Sequence, residues 1–530
     1  MENFNLSLFQ NSVVQIISSK TYIDWESPYK NKMTKNSIGT GFFISKNHIL
    51  TCSHVLENSH SVTIKISFSG CKEYRCHILG ICPQIDIAII EVVEYESEHI
   101  CPLGSDLMIN SGDDCIVLGY PLGQSNLKVT KGVISGQQYS KYQIDTPISS
   151  GNSGGPLVRN NKVIGILVSS IVLDNAQNVN YTVPIKHYYL LKDYLYQPHY
   201  LIHYPEIFGF EYQAIDDNFR KYHQIEQYSQ RGIMIINIIP RSLISSTSLK
   251  IGDFLLKIND IFIDQYGLLE KTWMNQKMNF KDLLMSLPLK SSISISYYSV
   301  SKKQLITEKF LLQQHKLSIR ELYPPFEPID YIIYAGLIIM PLNLNFLKTN
   351  NIKYYTHIEH INFIKYQFDK YRSKRKIAII NILKGSIVDR LNIFSNGFII
   401  TKINHKEIAS MNDVREAIVH NLHSDIIIET ENLITAILNK SEIDQEFIEL
   451  SSIYRYNAQE ELDKIHKYVD KQRQLKQYLM STNKSRKLKS SELMISTTSS
   501  NTERRNDQLY VPYLKTSLLP NLSSSQLFFD

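Results

Sequence analysis

What this chain of 530 residues lacks sets the first limits. No stretch approaches the roughly 18 to 20 uninterrupted apolar residues of a membrane span, so no membrane association is expected. The opening MENFNLSLFQNSVVQII starts with an acid, has no basic n-region and is broken by Asn, Gln and Ser. It does not read as a signal peptide, and an intracellular, soluble protein is expected. Cysteine is scarce and confined to one early region: Cys52, Cys71, Cys76, Cys82, Cys101 and Cys115. No CxxC pair or His-spaced cluster supports a zinc site, and without secretion a disulfide framework gives way to buried thiols in a reducing compartment. A strong charge of one sign is missing too. The formal charge is +6, and residues 457–530 hold 12 Lys+Arg against 8 Asp+Glu, so +4 of the surplus sits in the tail. The basic cluster Lys484, Arg486, Lys487 and Lys489 has no interleaved aromatic rings on which bases could stack, so it reads as a solvated segment and no nucleic-acid partner is expected.

What is present is ordinary for globular domains, with 43% hydrophobic and 20% charged residues. The length implies roughly three or four cores. From Gly39 to about Ile185, short β-branched and aromatic runs (GTGFFI, HILTCSHVL, SVTIKISF, DIAIIEVV, CIVLGYP, VTKGVISG, KVIGILVSS, NYTVPI) alternate with turn signals, the pattern of an all-β barrel. The helical stretch KHYYLLKDYLY at 186–196 closes that unit. Residues 206–315 read as a mixed unit, with a strand at Ile233–Ile239, a helix near Phe280–Ser286 and the alternating strand SSISISYYSV. The same succession recurs in IAIINILKGSIVDRLNIFSNGFIITKINHKEI, followed by a helix at 412–420, so the two stretches form a diverged internal repeat sharing one fold. An amphipathic helix is expected over 457–480, with Leu462, Ile465, Val469, Leu475 and Leu479 near one face, and disorder beyond Ser481.

The sharpest chemical signal is Gly151-Asn152-Ser153-Gly154-Gly155-Pro156. A serine hydroxyl is a poor nucleophile at neutral pH and needs a base to take its proton, while an oxyanion formed on attack needs N–H groups aimed at it. Glycines permit the sharp turn that points amides into one cavity, and the N–H groups of Gly151 and Ser153 are assigned that task. A Gly-rich turn alone can also cradle phosphate, so its company matters. His54 follows the apolar run of HILTCSHVL, and Asp86 is expected inside the otherwise apolar strand IDIAII. A carboxylate there is costly to bury unless it is paired, and an imidazole N–H would satisfy it, fix the tautomer and stabilise the imidazolium. The chain order His, Asp, Ser is that of barrel-type serine proteases.

GTGFFI, TCSHVL, DIAII, VLGYPLG, VTKGVIS, QIDTPISSGNSGGPL, KVIGI and NVNYTVPI together resemble the Deg/HtrA family of ATP-independent serine proteases. SVVQIISSKTYIDWESPYKNKMTKNSIGTGFFI and YIIYAGLIIMPLNLNFL resemble the plant-type members, and the likeness covers about residues 10–455. The resemblance implies His54 as general base, Asp86 as its orienter and Ser153 as nucleophile. It implies a mainly β chain: a trypsin-like double β-barrel protease domain at 1–200, α+β PDZ-like domains at 201–318 and 319–456, and a helix with a disordered basic tail at 457–530. Unfolded or damaged proteins are the implied substrates and a homotrimer, or a multiple of it, the implied assembly, with no cofactor and no metal. Phe208-Gly209-Phe210 is similar to the turn with which PDZ domains hold a peptide's terminal carboxylate, and Tyr334-Ala335-Gly336-Leu337 is its counterpart in the second repeat. Two departures stand out. Only QQYSKY joins Gly136 to Gln143, where the family carries a longer regulatory loop. The residues before the nucleophile, Asp145 to Ile148, and the far wall, Ile166 to Ser170, offer no acid at the pocket base, so a small or medium aliphatic P1 residue is expected. The rival reading is a non-proteolytic chaperone or scaffold that binds exposed peptides.

Overall fold

The β-branched runs of the N-terminal third become strands whose buried faces line two closed barrels. The computed structural model describes residues 4–30, 33–66, 72–104, 108–138, 140–168, 179–274, 276–349, 365–420 and 425–466. Cys71, Ser169, Ser170, the far part of the 457–480 helix and the basic tail lie outside the described residues.

The first barrel is built from β1 (Val13–Tyr22), β2 (Met33–Phe43), β3 (His48–Thr51), β4 (Ser59–Lys65), β5 (Glu73–Cys82) and β6 (Ile87–Val92). Its strands run in the order β5-β4-β1-β2-β3-β6, and the β5–β6 pairing closes the ring. The second barrel closes as β10-β11-β12-β9-β8-β7 from β7 (Asp114–Gly119), β8 (Lys128–Gln138), β9 (Lys141–Ile144), β10 (Pro156–Arg159), β11 (Lys162–Val168) and β12 (Asn180–Pro184). This is the trypsin-like double barrel expected from the sequence. Two short helices flank the barrels: α1 (Ser53–Leu56), one turn after β3, and α2 (Lys186–Leu195), which comes after the second barrel. The connection leaving α2 then returns to the first barrel, where Tyr200–Leu201 pairs in parallel with β5.

Two α+β units complete the described chain. The first has a sheet ordered Phe210–Gln213, Ile233–Ile238, Phe254–Ile258, Ser292–Ser299, Gln304–Leu311, with a helix at Phe280–Met285. The second is ordered Ile332–Tyr334, Leu337–Pro341, Ile377–Ile382, Ile399–Ile403, Ile426–Thr430, Thr435–Leu438, with a helix at Met411–His420. The repeat is visible in detail. Gly209 and Gly336 both have positive φ, and a Cβ on either would collide with a serine, Ser242 or Ser386. Each glycine carbonyl accepts a backbone N–H 2.8 Å away, from Ile239 and Leu383 respectively.

The second unit is pinned to the first barrel by side chains that the composition gave no reason to single out. β1 and β2 form a long hairpin, paired from Val13↔Phe42 out to Tyr22↔Met33. Trp25, beyond its paired part, is 8% exposed. It packs in one core with Ile319, Ile333, Ile338 and Phe346 of the second unit. Tyr29 meets Tyr456 edge-on with ring centroids 5.9 Å apart. Truncating a buried aromatic costs about 3 to 5 kcal/mol. Trp25→Ala should therefore weaken the second unit selectively, seen as lost hydrogen-exchange protection around Ile333 and Ile338 while β7–β12 stay protected.

Candidate active site

β3 ends at Thr51, Cys52 continues extended with ψ 147°, and the single turn of α1 then carries His54. Asp86 lies in the turn between β5 and β6, one residue before β6, and not inside the strand that the apolar run IDIAII suggests. Its φ is +70°, in the left-handed region that Asp tolerates better than branched residues. From that kink the carboxylate reaches the start of α1. There it accepts from Ser53 Oγ at 3.0 Å, from the His54 backbone N–H at 3.0 Å and from His54 Nδ1 at 2.8 Å.

The electrostatics arise from these contacts. Burial alone would push the Asp86 carboxyl up, but the His54 charge and hydrogen bonds, with Lys141 helping, hold it well below the usual carboxylate range. Burial pulls His54 down, yet the charge and hydrogen bond of Asp86, together with the Glu57 charge, more than offset it and raise the imidazole above its ordinary value. Lys20 fixes the other side of the helix turn, its Nζ donating to the His54 carbonyl at 2.6 Å.

The Ser153 turn is held from behind. Thr40 N–H donates to the Ser153 carbonyl at 2.8 Å and Thr40 Oγ1 to the Gly151 carbonyl at 2.6 Å. Gly154 N–H donates to the Leu167 carbonyl at 2.8 Å. Gly151 and Gly154 take φ of +97° and +86°, so both positions need glycine. With the carbonyls occupied this way, the N–H groups of Gly151 and Ser153 donate to no acceptor among the described residues. Two free amides beside a serine are what an oxyanion hole requires. Ser153 is 5% exposed. Among the described residues its Oγ makes no hydrogen bond, to His54 Nε2 or any other group. Such base–nucleophile bonds are often long without substrate and tighten when it binds.

Cys52 Sγ, a His54 ring nitrogen and an Asp86 oxygen lie within 4.8 Å of one another, a spacing a metal ion could use. The Asp86 oxygens are already engaged by His54 and Ser53, and burial pushes the Cys52 thiol well above its ordinary pKa, so this donor set is poorly suited to a cation. Sequence reasoning passed over Thr40, Lys20, Glu57 and Cys52, whose roles come from long-range contacts and leave no local pattern.

Phe208, Gly209 and Phe210 lie far along the chain, at the head of the first α+β unit. The Phe208 and Gly209 amides donate to nothing among the described residues, and Phe210–Gln213 is an edge strand. Phe280 packs edge-on against Phe210 and Tyr212, at 5.1 and 5.4 Å between centroids. The second-repeat counterpart differs. Ala335-Gly336 is a two-residue hairpin turn with φ of 52° and 72°, and Ile332–Tyr334 pairs along Leu337–Ile339. The edge to which a peptide would add is thus taken by the chain itself.

Residues 39–166 match the family model of the trypsin-like peptidase domain and residues 325–460 that of the PDZ domain. With the double barrel, this defines a serine endopeptidase that carries a PDZ domain. Among curated relatives, the putative protease Do-like 13 of Arabidopsis thaliana is 27% identical over 70% of this chain and 78% of its own. The mitochondrial protease Do-like 4 of Arabidopsis thaliana is 24% identical over 86% of this chain and 85% of its own. A solved structure, the HtrA-type protease AlgWS227A with decapeptide, aligns with 59% of this chain and 96% of its own, at 19% identity and a TM-score of 0.46. The two domain matches and the Arabidopsis thaliana relatives support a serine protease of Deg/HtrA type that is similar to the plant-type members. Five described cysteines are free, and no described helix is long and apolar enough to cross a membrane.

A Cβ at position 154 would lie closer than 3.0 Å to both the Thr40 carbonyl oxygen and Thr51 Oγ1, at a positive φ. Gly154→Ala should therefore cut peptide hydrolysis by about 100-fold or more, the cost of roughly 1 Å of misplacement, while circular dichroism still reports folded barrels.

Proposed function

We propose that the chain is an ATP-independent endopeptidase that hydrolyses unfolded or damaged proteins through an acyl-enzyme, with Ser153 as nucleophile, His54 as base and Asp86 as orienter. Ser153 Oγ attacks the carbonyl carbon and its proton passes to His54 Nε2. The oxyanion is met by the Gly151 and Ser153 amides. His54 then protonates the leaving amine, and water repeats the sequence to release the acid. The observation that carries this reading is the 2.8 Å carboxylate–imidazole bond, together with a glycine-framed serine whose turn leaves two amides uncommitted. Asp145, the acid nearest the nucleophile in sequence, accepts from Val133 N–H at 2.6 Å, which supports an apolar pocket and a small or medium aliphatic P1 residue. The domain plan is a protease unit at 1–200 and PDZ-like units at 201–318 and 319–456. A peptide terminus would be held at Phe208–Phe210, and the assembly would be a trimer or a multiple of it. Free buried thiols suit an intracellular, reducing compartment.

The unformed Ser153–His54 bond is the one observation that favours a peptide-binding scaffold without cleavage. Casein digestion separates the two. The wild type should cut it and Ser153→Ala should not, and equal digestion by both would sink the protease reading. Because the base must be neutral, and its folded pKa is raised, activity should climb with pH through a midpoint above the unperturbed value of about 6.5. Asp86→Asn should lower both that midpoint and the maximal rate, the latter by roughly 10⁴-fold. An acidic optimum near pH 5 would contradict the mechanism.

A further inference from the structure

One thiol sits inside this machinery without an assigned task. Cys52 is fully buried between β3 and α1, two residues before His54. Burial first, and the nearby Asp86 charge second, keep it protonated, so it is neither a rival nucleophile nor a redox centre, both of which need thiolate. What it offers is one proton on a polarizable atom. Cys52 Sγ donates to the Leu167 carbonyl at 3.0 Å, from the first barrel to β11 of the second.

That carbonyl is not an arbitrary acceptor. It also receives the Gly154 N–H at 2.8 Å, directly behind the nucleophile, and the Leu167 N–H returns to the Gly155 carbonyl at 2.8 Å. A carbonyl has two lone pairs, and here one is filled from the nucleophile turn and the other from the segment that carries the base. Thr40 ties the Ser153 turn to β2, whereas Cys52 ties it to the stretch leading into His54. The base and the nucleophile therefore sit on opposite sides of one shared acceptor, on the wall expected to line the specificity pocket.

We propose that Cys52 is a positioning residue, whose S–H bond to the Leu167 carbonyl sets the separation of His54 and Ser153 across the cleft between the barrels. The inference rests on the His54–Asp86–Ser153 reading. Alanine or valine would remove the donor and valine would keep most of the volume, whereas serine keeps a donor on the same Cβ. A drift of up to about 1 Å between base and nucleophile costs up to roughly 100-fold in rate, so a single weak bond at this point can have a large kinetic effect.

The test uses the full chain as wild type, Cys52→Val, Cys52→Ala, Cys52→Ser and Ser153→Ala. Acylation by a fluorophosphonate probe and kcat and KM on fluorescent casein are measured beside melting temperature. Cys52→Val should keep KM and melt near the wild type while kcat and acylation fall roughly 10- to 100-fold. Cys52→Ser should recover most of that loss, which a purely space-filling role would not give. Should valine prevent folding, serine against alanine makes the same comparison. Wild-type rates in Cys52→Val, or a serine variant as slow as the alanine one, overturn the proposal. If Ser153→Ala is inert while Cys52→Val runs at full rate, only the role of Cys52 falls. If Ser153→Ala still cleaves, the triad reading itself falls.

Discussion

The bond between the Asp86 carboxylate and His54 is the constraint on which the rest depends. A buried carboxylate survives as an anion only if protein donors replace its water. Three donors from a single helical turn do so here, two from His54 and one from Ser53. To receive them the chain must leave β5, turn through a left-handed residue and enter β6 with its carboxylate reversed. The closing of the first barrel between β5 and β6 and the placement of His54 are therefore one structural event. The result commits Nδ1 of His54 to the carboxylate and leaves Nε2 without a hydrogen bond among the described residues.

The second half of the site obeys a different rule. Around Ser153 the backbone, not charge, is arranged: its carbonyls are tied back to Thr40 while two N–H groups are left uncommitted. Leaving two amides without partners is unfavourable for folding and is sustained by the contacts behind them. β2, β3 and α1 belong to one barrel and the Ser153 turn to the other, so the separation of His54 and Ser153 depends on how the barrels meet. Thr40 and the Leu167 carbonyl take part in hydrogen bonds that cross from one to the other. Beyond the barrels, Trp25 joins the second α+β unit to the hairpin that begins β2, so that unit is packed onto the strand that supports the nucleophile turn.

Much of this was legible in the sequence because its causes are local. Alternating β-branched runs give strands wherever one face is buried, and GNSGGP needs glycine wherever φ is positive. The repeat was readable because the same succession of strand, turn, short helix, glycine and strand recurs along the chain. Asp86 was misplaced because an apolar run looks the same whether its one acid lies in a strand or just before it. Deciding that requires the position of α1, a long-range fact. Lys20, Glu57 and Cys52 were passed over for the same reason, since each acts through partners distant in sequence. The Tyr334–Leu337 turn resembled a carboxylate cradle in its residues, but the strand pairing that turns it into a hairpin is a tertiary outcome.

The proposed mechanism centres on a buried, ionised Asp86 that holds His54 in one tautomer and strengthens it as a base. An NMR titration of histidine side chains in the Ser153→Ala chain tests this directly, with the His54 signals identified among the 16 histidines by His54→Gln. The expected result is Nδ1–H retained throughout and titration at Nε2 above about 6.5, falling clearly in Asp86→Asn. Titration of His54 at or below that value, unchanged by Asp86→Asn, would contradict it.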